Sequence, residues 1–113
     1  MLVSELTKKL DERFEIINIS DEAGETEISK VFCCDLLSFA MARNPAGSVW
    51  VTVMGNVNTI GVMALTDGGA VIIAENAALD ENAHKKAVEQ NITVIKTSLP
   101  VFEAALFVHS LIS

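Results

Sequence analysis

A set of polar residues could hold a small ligand if the fold brings them to one place. They are Asp35, then Gly55, Asn56 and Asn58, then Glu75 and Asn76, then Thr97 and Ser98. Their types suit recognition rather than bond making, since carboxamides and hydroxyls both donate and accept hydrogen bonds. Asn56 and Ser98 stand where helices are expected to start, with free backbone N–H groups and partial positive charge. That combination can receive an anion. The plain alternative is that Asp35, Asn56 and Ser98 only cap their helices. There is no Gly-x-Gly-x-x-Gly and no Gly-Lys-Ser/Thr loop, and Lys96 is the one cation placed beside Asp35 and Glu75.

No residue is assigned a catalytic role. His84 and His109 lie on separate expected helices, without a serine, cysteine or carboxylate at the spacing of a triad. Cys33 and Cys34 are adjacent, so a disulfide between them would be strained. As neighbours in a strand they point to opposite faces and do not share one ion. They read as free thiols that pack as small apolar residues. No metal and no cofactor is expected.

These residues need a frame that brings them to one edge. Leu2, Val3, Leu6 and Leu10 have helical spacing. Phe14–Ile19 reads as a strand, and Ser20–Glu27, polar and glycine-containing, as a loop. Ile28–Cys34 reads as a strand, with Asp35 capping a helix over Leu36–Arg43. Asn44-Pro45-Ala46-Gly47 stops that helix. Val49–Met54 is the central strand, apolar on both faces apart from Thr52. Asn56 caps a helix running to Thr66, and Asp67-Gly68-Gly69 ends it. Ala70–Ala74 is a strand. Asp80 caps Glu81–Gln90, and Ile92–Ile95 is the last strand. Ser98 caps a final helix with Pro100 in its first turn.

Strands alternating with helices imply a three-layer α/β/α fold with a largely parallel, about five-stranded sheet. The direction of the first two strands stays open, because the connection between them is long. In such a sheet the strands deliver their C-terminal ends to one edge, where ligands bind at a switch point. The candidate residues all arrive at that edge.

At 113 residues the chain reads as one domain, residues 1–113, with half its residues apolar and a fifth charged. That excludes disorder. No apolar run approaches the roughly 20 residues that span a bilayer, and the N-terminus is not a signal peptide. A cytoplasmic protein with no membrane partner is expected. A net charge of −7 without a Lys/Arg cluster speaks against nucleic acid. Two helices, Val57–Leu65 and Leu99–Ile112, are apolar nearly all round, whereas an outer helix of a monomer shows one apolar stripe. A homodimer is therefore expected, with Ile60, Met63, Phe102, Leu106 and Phe107 as candidate interface residues.

Several stretches resemble the DRTGG domain family. They are Cys34-Asp35-Leu36-Leu37-Ser38, Gly47–Thr52 leading to Gly55-Asn56, Val71-Ile72-Ile73, and Thr97-Ser98-Leu99-Pro100-Val101-Phe102-Glu103. The similarity runs from Ile28 to the C-terminus. The resemblance implies a compact α/β/α domain with a regulatory or ligand-sensing role, found alone or inserted in larger proteins. Among these are phosphate acetyltransferases and proteins with nucleotide-sensing CBS modules. Stand-alone members often accompany iron-hydrogenase components in anaerobic bacteria. The family places Asp-Arg after the central strand and Thr-Gly-Gly after the next. Here those places hold Asn56-Val57 and Ala74-Glu75-Asn76. An anion bound through the family's residues should be bound poorly here, or replaced by something else.

The expected function is a non-catalytic regulatory or interaction domain, homodimeric, with a rim that can sense a small ligand. One alternative is a nucleotide or other small-anion binding module. Another is a redox or metal accessory acting with an iron hydrogenase system through Cys33 or Cys34.

Overall fold

The sheet is built around a strand with no exposed residue. β3, Ser48–Thr52, is buried at all five positions, and Trp50 at its centre has no accessible surface. In the computed structural model, which describes residues 1–112, five strands lie in the order β1-β5-β4-β3-β2. β2 (Lys30–Cys33), β3, β4 (Ala70–Ile73) and β5 (Val94–Thr97) run parallel in register, and β1 (Phe14–Asn18) pairs antiparallel with β5. The architecture is the expected three-layer α/β/α.

The first two strands, left open in direction, do not pair with each other. They form opposite edges of the sheet. Between them, Ser20–Glu27 contains a short helix, α2 (Asp21–Gly24), capped by Ser20, whose Oγ accepts the Ala23 N–H at 3.0 Å. Each step from β2 to β5 moves one strand in the same direction. Right-handed crossovers of that kind stack their helices on one face. Those helices are α3 (Leu37–Arg43), α4 (Val57–Thr66) and α5 (Glu81–Gln90). Their inward residues Ala40, Ile60, Met63, Ala83 and Ala87 form one core cluster with Trp50, Val71 and Ile73. The strand order never reverses, so there is no switch point, contrary to the sequence-based expectation.

The crossovers leave the other face uncovered. Two helices outside the crossovers close it: α1 (Val3–Lys9) and α6 (Val101–Ile112). Val3 and Leu6 of α1 and Ala104 and Val108 of α6 pack on Val49, Val51, Ile72 and Ile95 with no exposure.

This layering corrects part of the interface expectation. Ile60 and Met63 have no accessible surface. α4 is the middle helix of its layer, flanked by α3 and α5 as well as covered by the sheet, so its apolar character is used inside the chain. Phe107 is half-buried and stacks on Phe14, ring centroids 5.4 Å apart. Phe102 and Leu106, one turn apart on α6, do stand outward, 68% and 54% exposed.

The edge opposite the candidate rim is pinned by a buried polar cluster. Asn44, which ends α3, accepts from Ser48 Oγ at 2.5 Å and donates to Thr66 Oγ1 at 2.9 Å. Thr66 in turn donates to the Val62 carbonyl at 2.8 Å. One carboxamide thus ties α3, β3 and α4 together. Replacing Asn44 with Ala strands the Ser48 hydroxyl in the core and should cost about 1–3 kcal/mol. Urea unfolding would show this as a lower midpoint, and an unchanged midpoint would remove the cluster's structural role.

Candidate functional site

The C-terminal edge of the parallel strands is where the sequence places its candidates. Because β1 is antiparallel, it brings its beginning to this same edge, with Phe14 opposite Thr97 and Glu15 opposite Lys96. The result is an open cleft of about 220 Å³ between the start of β1 and the end of β5. Asn76, Thr97 and Ser98 line it, joined by Glu12, Arg13, Glu15 and Lys96. The last strand lies two residues later than the sequence reading, Val94–Thr97 instead of Ile92–Ile95, so Lys96 and Thr97 are strand residues.

Arg13 is the cation that the sequence reading missed. Its role at the rim follows only from the direction of β1, for which the sequence carries no local signal. The guanidinium is held by Asp11, with Nη2 to Oδ2 at 2.6 Å and Nε to Oδ1 at 3.0 Å, and lies 5.1 Å from the centroid of the Phe107 ring. This hydrogen-bonded pair keeps the Asp11 carboxyl below, and Arg13 above, their ordinary pKa values. The pair is exposed and screened, so it orients Arg13 more than it stabilises the fold. Lys96, half-buried, pairs with no carboxylate among the described residues. Thr97 donates its hydroxyl to the Arg13 carbonyl at 2.8 Å and accepts from the Leu99 N–H at 3.2 Å. Its side chain therefore holds the wall of the cleft, while Ser98 and Asn76 are exposed in it.

The other expected rim residues have structural work. Asp35 does not cap α3, whose N-cap is Leu36, without a side-chain hydrogen bond. Its Oδ1 accepts instead from Thr52 Oγ1 at 2.7 Å and from the Val53 N–H at 3.0 Å, tying the exits of β2 and β3. Asn56 caps α4 as read, its Oδ1 accepting from the N–H groups of Asn58 and Thr59 at 3.0 and 3.1 Å. Those amides are thus satisfied within the chain. Gly55 is needed for close approach: a β-carbon there would overlap the Ala78 carbonyl, and its own carbonyl accepts from the Asp80 N–H at 2.8 Å. Asn58 lies away from the cleft, in a groove between α3 and α4. No side-chain cap is formed by Asp80.

Glu75 and Asn76 shape the rim through their backbone. Both have positive φ, 60° and 55°, and the Ala77 N–H closes the turn on the Ala74 carbonyl at 3.0 Å. That is a type I′ turn, which favours glycine or asparagine. Their N–H groups donate to the carbonyls of Leu99 and Thr97, both at 2.9 Å, locking the turn to the entry of α6.

The cysteines separate as expected. Cys34 packs with the α3–α5 layer, while Cys33 is exposed and pairs in register with Val51, which faces the other layer. Partial burial, and then the nearby Asp35 charge, push the Cys33 thiol above its ordinary pKa. A thiol held protonated is a poor nucleophile and metal ligand. Among the described residues no three of His, Cys, Asp and Glu converge to hold a metal ion.

No family model matches the chain, and no curated protein matches it in sequence. A solved structure is similar: the CBS and DRTGG domains of the regulatory region of a Clostridium perfringens pyrophosphatase, complexed with its activator diadenosine tetraphosphate. The TM-score is 0.68 at 16% sequence identity, over 95% of this chain and 48% of that one, so this chain spans about half its length. The backbone has positive φ at Glu75 and Asn76, where the sequence departs from the Thr-Gly-Gly of the family it resembles. Glutamate in a left-handed conformation costs on the order of 1 kcal/mol. Glu75→Gly should therefore raise stability by a few tenths to 1 kcal/mol, offset in part by glycine's freedom when unfolded. A lower urea midpoint for Glu75→Gly would contradict that account of the turn. The likeness in structure, with 16% identity, is one of fold: the chain has a DRTGG-like α/β/α fold.

Proposed function

We propose that this chain is a non-catalytic regulatory domain that senses a small anionic ligand in the cleft between β1 and β5. The observation that carries this reading is the meeting of Arg13 and Lys96 with the exposed polar groups of Asn76 and Ser98 in one open cleft. The DRTGG-like fold supports it, because the similar pyrophosphatase region is regulatory and was solved with a nucleotide activator. Glu12 and Glu15 in the lining oppose a high negative charge. The cleft thus favours a ligand with one or two anionic groups and hydrogen-bonding functions over a bare polyphosphate. The test is a thermal-shift series with diadenosine tetraphosphate, AMP, acetyl phosphate and inorganic phosphate. A ligand at one hundred times its Kd stabilises by about 2.7 kcal/mol, a shift of several degrees for a domain of this size. At least one compound should produce it, and Arg13→Ala or Lys96→Ala should reduce it. No shift from any of them would remove the ligand-sensing reading.

The same reading includes association of two copies through α6. Phe102 and Leu106 stand on one exposed helix face, and large apolar residues so placed favour a partner surface. Light scattering on a micromolar sample should give twice the monomer mass, reverting to the monomer with Phe102→Glu. A monomer from the unaltered chain would sink it.

A further inference from the structure

The cleft between β1 and β5 carries more acid than a plain anion site needs. Of its charged residues, Arg13 is committed, since its guanidinium is held by Asp11 and lies over the Phe107 ring. Lys96, Glu12 and Glu15 are not. Among the described residues none of these three forms an ion pair or a side-chain hydrogen bond. The uncommitted charges of the cleft are therefore one cation and two acids.

Register fixes where two of them stand. Glu15 is the direct partner of Lys96 across the antiparallel pair of β1 and β5. Side chains so placed share one face of the sheet, with β-carbons about 5 Å apart. Opposite charges in that position can pair directly. Here they stay apart, and both line the cleft. Lys96 is half-buried and Glu15 exposed, so the opening between them is reached from the Glu15 side.

Charge and size then select the ligand. A bare anion on Lys96 would meet the Glu15 carboxylate at close range, and like charges there repel. A ligand that carries its own ammonium turns the same carboxylate into a contact, and Glu12 adds to that attraction. The cleft holds about 220 Å³, below the roughly 300 Å³ at which ordinary ligand pockets begin. The two charges of the ligand accordingly sit close together on a short molecule. Resting on the reading of this cleft as an anion site, we infer that its ligand is a small zwitterion. It has a carboxylate or phosphate a few bonds from an ammonium group, the anion on Lys96 and the ammonium on Glu15.

Calorimetric titration of the full chain with matched pairs tests this. The pairs are 2-aminoethyl phosphate against ethyl phosphate and β-alanine against propionate, with ethylamine as the cation alone. In at least one pair the amino compound should bind at least tenfold more tightly than its amine-free partner, and that pair identifies the anion. Ethylamine should bind at least tenfold more weakly than that amino compound. Glu15→Gln removes one charge at an exposed position. It should abolish the preference while the amine-free anion binds as well or better, a pattern that loss of structure would not produce. Lys96→Gln should weaken both members of the pair. If the anions bind without preference in either pair, or if the preference survives Glu15→Gln, the zwitterion assignment is overturned and the anion site stands. If ethylamine binds as tightly as the amino compounds, the cleft is a cation site and both readings fall. If none of the five compounds binds, the assignment falls outright.

Discussion

The structure depends on covering both faces of one sheet. β3 and β4 have no exposed residue on either face. Crossover helices placed by right-handed connections cover only one of those faces when the strand order advances without reversal. The second face must be closed by segments that are not crossovers. α1 and α6 do this, and their inward residues are fully buried. The same requirement fixes the role of β1. It follows α1 and adds to the sheet as an antiparallel edge on β5.

The chemistry of the rim follows from that arrangement. A parallel sheet alone would present the ends of β2 to β5, and most polar groups there are already engaged. Asp35 holds two strand exits, Asn56 caps α4, and Thr97 bonds to the Arg13 carbonyl. The antiparallel edge adds a cation, an apolar ring and two acids where the last strand ends. The exposed polar groups that line the cleft are concentrated at one corner of the edge rather than spread along it.

Much of the fold was legible in the sequence because it rests on local signals. β-branched runs bounded by Gly, Pro and Asn gave five strands and five of the six helices, and Asn56 was correctly read as a cap. The three-layer class followed from alternation. What was not legible depends on tertiary context. The direction of β1 sets the cleft but is decided by pairing with a strand far along the chain. The apolar wrap of α4 looked like surface for a partner, yet Ile60 and Met63 are covered because two helices flank it. Asp35 carries a good cap signal before a helix, and the neighbouring strand took its oxygen first. Three of the eight candidate residues, Asn76, Thr97 and Ser98, line the cleft, since they lie at or just past the ends of β4 and β5, where chain order alone determines place.

The turn at Glu75 and Asn76 is bolted by two backbone hydrogen bonds to Thr97 and Leu99, immediately before α6 begins. The turn that walls the cleft and the entry of the helix carrying Phe102 are therefore joined through backbone alone, whatever side chains stand at Glu75 and Asn76.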